Sequence, residues 1–113
     1  MQRGDLYWVR LPEIDGREQA GIRPAVIVQD PVAGGALPTV LVVPLTSQLA
    51  ATRFPGTLRI EPDGENQLPM RSVLLVFQLR AIDRRRLAGR LGRISSTQLE
   101  RIYEMLDELL GRS

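Results

Sequence analysis

Short apolar segments separated by turn-forming residues make up the first three quarters of the chain. Asp5–Leu11, Arg23–Gln29 and Thr39–Leu45 are rich in β-branched and aromatic residues, and each is a predicted strand. Gly56–Ile60 alternates apolar and polar positions, and Ser72–Leu79 is largely apolar, which predicts two more. Glycine and proline cluster between these segments, as is typical of turns.

The end of the chain has a helical pattern. Apolar residues recur there at helical spacing on one face: Leu99, Ile102, Tyr103, Leu106, Leu109 and Leu110. Ser95 with Gln98, or Thr97 with Glu100, makes a capping box at the start of this segment, and Gly111 is expected to end it. We therefore predict a C-terminal helix whose apolar stripe packs on the core.

Smaller elements complete the expected fold. A helical turn or two is expected around Gln48–Ala51, a short helix after Asp83 as N-cap, and a short last strand over Gly89–Ile94. Five or six short strands followed by one helix favour a mainly β fold, a small barrel with an added helix. At 113 residues the chain is expected to be one domain, 1–113.

Composition removes several classes of chemistry. The chain has no Cys, no His and no Lys. A triad of the usual kind, a histidine- or thiolate-based zinc site, a Schiff base and a phosphate-loop lysine are therefore excluded. No apolar run approaches the roughly 20 residues of a membrane span, and no signal peptide follows Met1. We expect a cytoplasmic protein with no membrane partner.

The basic residues are all arginine, and they are unevenly placed. The net charge is only +2, yet seven arginines lie between Arg71 and Arg93, where Asp83 is the only acid. Arginine favours bidentate contacts with phosphate, so this stretch is compatible with a nucleic-acid partner. A genome rich in G and C would produce the same preference for arginine over lysine.

Two polar residues stand at neighbouring strand ends. Arg23 begins the second predicted strand, and Thr46 directly follows the third. If these strands pair antiparallel, the guanidinium and the hydroxyl converge, which suits a phosphodiester substrate. With histidine, cysteine and lysine chemistry excluded, what remains is catalysis by positioning and charge stabilisation. Arginine serves that role at phosphoryl centres.

Five segments of the chain carry recognisable short motifs. Arg3–Trp8 is similar to RGD-[ILV]-[YW], and Glu18–Val28 to EQGG-x-RP followed by a strand. Pro44–Gln48 is similar to P-[IL]-T-[SA]-Q, Ser72–Leu74 to SV-[IL], and Gln78–Asp83 to Q-[IL]-R-T-[IV]-D. In this order the segments resemble the MazF/PemK family of toxin endoribonucleases from type II toxin–antitoxin systems. The resemblance covers nearly the whole chain.

This resemblance implies a dimeric, partly open SH3-like barrel of the CcdB/PemK type that cuts single-stranded RNA without a metal or other cofactor. The implied reaction is attack of a ribose 2′-OH on the adjacent phosphorus, which leaves a 2′,3′-cyclic phosphate and a 5′-OH. Arg23 and Thr46 take the family's two catalytic positions. The resemblance also implies neutralisation by a cognate antitoxin with an acidic C-terminal tail.

Further RNA contacts are expected at polar positions of the same motifs: Arg3, Gln19, Ser47, Gln48, Gln78 and Arg80. Each could equally make a structural hydrogen bond in the barrel rim. Either Tyr7 or Trp8 could stack a base, since strand alternation places the other in the core.

Two alternative functions stay open for the whole protein. One is a CcdB-like toxin that poisons gyrase, and the other is a non-catalytic SH3-like module that binds RNA or protein.

Overall fold

The computed structural model describes residues 1–11 and 21–112, which contain seven strands and two α-helices. The strands are β1 (Asp5–Leu11), β2 (Gly21–Ile27), β3 (Thr39–Thr46), β4 (Thr57–Ile60), β5 (Ser72–Leu75), β6 (Arg80–Asp83) and β7 (Leu87–Arg93). The helices are α1 (Pro31–Gly34) and α2 (Ser96–Leu109), and 3₁₀ turns occupy Leu49–Arg53, Val76–Gln78 and Arg84–Arg86. The predicted mainly β fold with a C-terminal helix is confirmed.

The central strand β3 organises the antiparallel sheet. The strand order is β4-β5-β3-β2-β1-β7, and β6 also pairs with β3. The first half of β3 pairs with β6, from Thr39 to Val42, whereas its end pairs with β5 through Leu45 and Thr46. Because β5 and β6 share one edge of β3, the sheet curls around it. Among the described strands β4, β6 and β7 each pair with a single neighbour, so the curled sheet is not fully closed, as expected for a partly open barrel.

Two apolar clusters fill the interior. The larger contains Leu6, Val26, Val43, Leu45, Leu74 and Ile102, and the smaller contains Val9, Ala25, Ile27, Val40, Val42 and Ile82. Helix α2 covers the larger cluster with Ile102 and Met105, while Leu99, Tyr103 and Leu106 are half-buried against it. Leu109 and Leu110 were predicted to belong to this stripe but are 48% and 69% exposed, because the helix end projects past the cluster.

The ends of α2 follow the sequence signals. Ser95 Oγ accepts from the backbone N–H of Gln98, and Gln98 Oε1 accepts from the N–H of Ser95, so the first of the two predicted capping boxes forms. Gly111 adopts φ +73°, the left-handed conformation that ends a helix, directly after Leu110. No helix in the described ranges is long and apolar enough to cross a membrane.

The predicted strand Ser72–Leu79 is wrong in its second half. Strand β5 ends at Leu75, and the chain makes a 3₁₀ turn through Val76–Gln78 before β6 begins at Arg80. The turn is required because β5 and β6 pair with different halves of β3. An apolar run carries no signal for such a change of direction, so the strand over Arg80–Asp83 was not predicted.

Asp5 of the RGD segment has a structural position. Its side chain is buried and accepts a hydrogen bond from the N–H of Gln2 at 2.9 Å. Arg90 and Arg93 of β7 approach the same carboxylate at 3.3 and 3.7 Å. A buried carboxylate is stable only when it is paired in this way, so Asp5 ties the start of β1 to β7.

Candidate active site

An open groove lies where the start of β2 meets the end of β3. These strands pair antiparallel with Ala25 opposite Pro44. Continuing that register by two residues sets Arg23 opposite Thr46, as the sequence predicted. Both residues line the groove, whose volume is about 630 Å³.

Arg23 gives the groove its charge. It is half-buried, and it is the only charged residue among the described residues that line the groove. The apolar side chains of Pro24 and Leu45 lie beside it in the same lining. A guanidinium beside apolar walls is screened less than one in open water, so it attracts an anion strongly.

Thr46 is oriented by its own turn. Its Oγ1 accepts a hydrogen bond from the backbone N–H of Gln48 at 3.2 Å. A hydroxyl has one donor hydrogen in addition to its acceptor lone pairs, so this contact leaves the Thr46 O–H available to donate. Ser47 and Gln48 are exposed and also line the groove. The segment Thr46–Gln48 therefore presents several hydrogen-bonding groups next to Arg23.

The rest of the lining is mainly apolar, and most of it was not predicted. It contains Trp8, Ile22, Pro69 and Met70, together with Ser72. Met70 is 53% exposed and Ile22 is 45% exposed, so both offer open apolar surface. In RNA a base with flat, largely apolar faces lies beside each charged phosphodiester. The apolar part of the lining offers a surface for the base, and Arg23 offers a charge for the phosphate.

The two aromatic residues of β1 separate as strand alternation requires. Tyr7 packs against the smaller apolar cluster, and Trp8 lines the groove. Trp8 lies directly across the ladder from Pro24, and side chains at opposite positions share one face of the sheet. Of the two candidates for base stacking, Trp8 is therefore the one next to the site.

A tightly held loop supports Pro69 and Met70. Asn66 is fully buried, and its Oδ1 accepts from the backbone N–H groups of Asp63 and Leu68 at 3.0 and 2.9 Å. Its Nδ2 donates to the carbonyl of Glu61 at 2.9 Å. One amide side chain thus fixes both arms of the loop that leads into the groove wall.

Strand β7 holds this loop against the barrel. The backbone N–H of Arg93 donates to the carbonyl of Glu65 at 2.9 Å. A Cβ at Gly92 would collide with the carbonyl oxygens of Glu65 and Asn66, so only glycine allows so close an approach. The groove wall consequently depends on residues far from it in sequence.

The other predicted RNA contacts lie elsewhere or outside the described residues. The Arg3 guanidinium stacks over the Tyr103 ring at 5.6 Å, and Tyr103 belongs to α2. Gln78 is exposed on the 3₁₀ turn before β6, and Arg80 is half-buried opposite Val42 in β3. None of these three appears in the groove lining of the described chain. Gln19 falls outside the described residues.

More than half of the arginines in the predicted basic stretch have an acidic neighbour. Four of its arginines contact carboxylates at 2.9 to 3.7 Å: Arg71 contacts Glu61, Arg85 contacts Asp83, and Arg90 and Arg93 contact Asp5. Hydrogen bonds from the side chain and backbone N–H of Arg85 hold the pKa of the Asp83 carboxyl at about 2, below its usual 3.8. Within residues 1–11 and 21–112, acidic side chains form no group of three or more that could hold a metal ion.

Residues 2–110 match the model of a protein family described as PemK-like, MazF-like toxins of type II toxin–antitoxin systems. The chain belongs to this family, as its motifs predicted.

Named relatives cover nearly the whole chain. It is 34% identical over 111 residues to a protein named Endoribonuclease MazF from Staphylococcus saprophyticus, covering 98% of this chain and 92% of that protein. Its fold is similar to the crystal structure of MazF from Deinococcus radiodurans, with a TM-score of 0.78, 28% identity and coverage of 98% and 96% of the two chains. A MazE–MazF structure from the same organism aligns with a TM-score of 0.77 and 26% identity, covering 100% of this chain and 97% of that one.

Proposed function

We propose that this family member is an endoribonuclease toxin that cuts single-stranded RNA in the groove between β2 and β3. One observation carries the proposal: Arg23 and Thr46 line the same groove, and Arg23 is the only charged residue in its described lining. The names of the similar staphylococcal proteins support the same activity. We place the reaction in the cytoplasm, on messenger RNA.

The proposed chemistry is an attack by a ribose 2′-OH on the adjacent phosphorus. The new O–P bond forms as the bond to the 5′ oxygen of the next nucleotide breaks, leaving a 2′,3′-cyclic phosphate and a 5′-OH end. Negative charge accumulates on the phosphoryl oxygens in the transition state. Arg23 stabilises that charge, which is the main role of a guanidinium at a phosphoryl centre because arginine stays protonated.

Thr46 orients the scissile phosphate. The backbone N–H of Gln48 donates to the Thr46 oxygen and holds it in place. The Thr46 hydroxyl hydrogen can then donate to an oxygen of the scissile phosphate. A donor that is already in place when charge develops costs no reorganisation during the reaction. We assign the exposed Ser47 and Gln48 to adjacent contacts with the RNA backbone.

The partners that we propose are a second copy of the chain and an acidic antitoxin. Phe54 and Phe77 are 43% and 41% exposed with ring centroids 5.8 Å apart, and Leu109 of α2 is 48% exposed. A Cβ added at Gly56 would lie 3.3 Å from side-chain atoms of both Phe77 and Leu109, so these side chains flank Gly56 and form one apolar patch. Contiguous apolar surface of this kind is typical of a protein interface. The MazE–MazF complexes among the similar structures support an antitoxin partner.

Cleavage of a long RNA in EDTA, with mapping of cut positions and end groups, tests the proposal. We expect cuts with 5′-OH ends for the wild type and a kcat lower by roughly 10²–10³ for Arg23→Ala. Thr46→Val, which removes the hydroxyl at nearly constant shape, should lower kcat, whereas Thr46→Ser should retain most of it.

Arg112→Ala is the control, because it removes an exposed arginine that is paired with Asp107 near the chain end. Near wild-type cleavage by Arg23→Ala would refute the assignment. Absence of RNA cleavage by the wild type would favour the gyrase-directed or purely binding alternatives.

A further inference from the structure

The part of the groove wall that Trp8, Ile22 and Pro24 form continues to Arg10. In the β1–β2 ladder Trp8 lies opposite Pro24, and Arg10 lies opposite Ile22. Opposite residues of an antiparallel pair share a face, and so do residues two apart on one strand, so all four side chains lie on one face. Three of these four residues, Trp8, Ile22 and Pro24, line the groove. The fourth, Arg10, is exposed next to them.

Arg86 lies on the other side of Arg10. Its Nη1 donates to the backbone carbonyl of Arg10 at 3.3 Å, and the next residue, Leu87, pairs with Val9 of β1. A row across the sheet therefore runs from Ile22 through Arg10 to Arg86. Neighbouring strands are about 5 Å apart, so the row extends roughly 10 Å from the groove wall.

These two arginines differ from Arg85, Arg90 and Arg93 in charge compensation. Arg85 contacts Asp83, and Arg90 and Arg93 contact Asp5. Neither Arg10 nor Arg86 has a carboxylate at ion-pair distance within the described part of the chain, and both are exposed. Arg86 uses one of its five donor hydrogens on a neutral carbonyl, so most of its hydrogen-bonding capacity stays available.

We infer that Arg10 and Arg86 form a second phosphate-binding site, which holds the RNA backbone beside the scissile position. The inference rests on the proposed function of the groove. An RNA strand that leaves the groove past Ile22 meets Arg10 and then Arg86. Because the contacts are to phosphate, they add affinity without base preference.

Binding of RNA that carries a 2′-deoxy nucleotide at the cleavage site measures this contribution without turnover. For a single strand, the slope of log K against log salt changes by about 0.7 for each phosphate neutralised by the protein. We expect the Arg10→Gln/Arg86→Gln variant to show a slope shallower by about 1.4 and roughly tenfold weaker binding at low salt. Arg86→Lys, which keeps the charge, should keep most of the slope.

Arg85→Gln/Arg112→Gln is the matched control. It also removes two positive charges, but from exposed side chains that are paired with Asp83 and Asp107. The effect should also depend on RNA length. Substrates of roughly 4 and roughly 12 nucleotides span the range of small single-strand-binding domains, and only the longer one should lose affinity in the double variant. Thermal unfolding of each variant checks that the fold is intact.

The two hypotheses fail in different ways. If the wild type cuts both substrates but the double variant binds both like the wild type, the second phosphate site is refuted. An equally shallow slope in Arg85→Gln/Arg112→Gln, or an equal drop in affinity for both lengths, also refutes it. If the wild type cuts neither substrate, the proposed function itself fails.

Discussion

Replacing Asn66 should lower both the stability of the fold and its affinity for RNA. In Asn66→Ala, the N–H groups of Asp63 and Leu68 and the carbonyl of Glu61 are all deprived of their side-chain partner. A buried polar group without a partner costs about 1–3 kcal/mol. Asp63 and Glu61 are exposed residues whose groups water can reach, whereas Leu68 is only 5% exposed. We therefore expect a destabilisation of about 2–4 kcal/mol, with Leu68 contributing the largest share.

Urea unfolding at one fixed protein concentration measures that destabilisation. The midpoint should fall with little change in the m-value, and the melting temperature should fall by about 4 °C for each kcal/mol. Tyr103→Phe provides the comparison, because it removes one hydrogen bond, from the Tyr103 hydroxyl to the Val28 carbonyl at 2.6 Å. That single hydrogen bond should be worth about 1 kcal/mol.

The effect on catalysis follows from the position of the loop. Leu68 leads directly into Pro69 and Met70, which line the groove. At a temperature where Asn66→Ala is still folded, we expect KM for RNA to rise more than kcat falls. A destabilisation below about 1 kcal/mol, or a fall confined to kcat, would refute this account of the loop.

Three further predictions concern single side chains. Trp8→Leu should raise KM about 5- to 150-fold, since stacking on a base is worth about 1–3 kcal/mol. Trp8→Phe should keep most of the affinity, and equal KM values for both variants would exclude stacking. Ser95→Ala should cost about 1 kcal/mol in thermal unfolding because it opens the capping box, and Ser96→Ala, one residue into the helix, should cost less. The folded-state pKa of Asp83 lies below its usual value, so its contacts with Arg85 stabilise the fold above about pH 4, and this contribution disappears as pH falls towards 2. An NMR titration should find the Asp83 pKa near 2 in the wild type and closer to 3.8 in Arg85→Gln.

The sequence predicts best where one local rule decides the outcome. Strand β1 has the predicted bounds, Asp5–Leu11, because its β-forming residues end in a proline. The start of α2 was predicted as one of two capping boxes, and Ser95 with Gln98 is the pair that forms. Tertiary context decides the failures: β5 stops at Leu75 because the chain must turn to reach another part of β3. Leu110 is exposed because the sheet does not extend beneath it.

The site divides in the same way. Arg23 and Thr46 could be placed together because antiparallel pairing of two adjacent strands brings the start of one to the end of the other. Met70 could not be placed, because its position depends on contacts that Asn66 and Gly92 make across the barrel. A pattern within one segment contains no information about such contacts.

The groove therefore combines two parts with different mechanical support. The charged part lies on β2 and β3, where Arg23 pairs with Val9 of β1 and Thr46 pairs with Val73 of β5, so strand pairing holds both residues in place. The apolar part lies partly on the loop after β4, and the buried side-chain amide of Asn66 holds that loop in place. Changes in the loop should therefore alter which RNA binds and how tightly, while the rate of the chemical step remains a property of the strands. Variation in cleavage sequence can then arise in the loop without disturbing the reactive pair, provided that Asn66 and Gly92 keep the wall attached to the barrel.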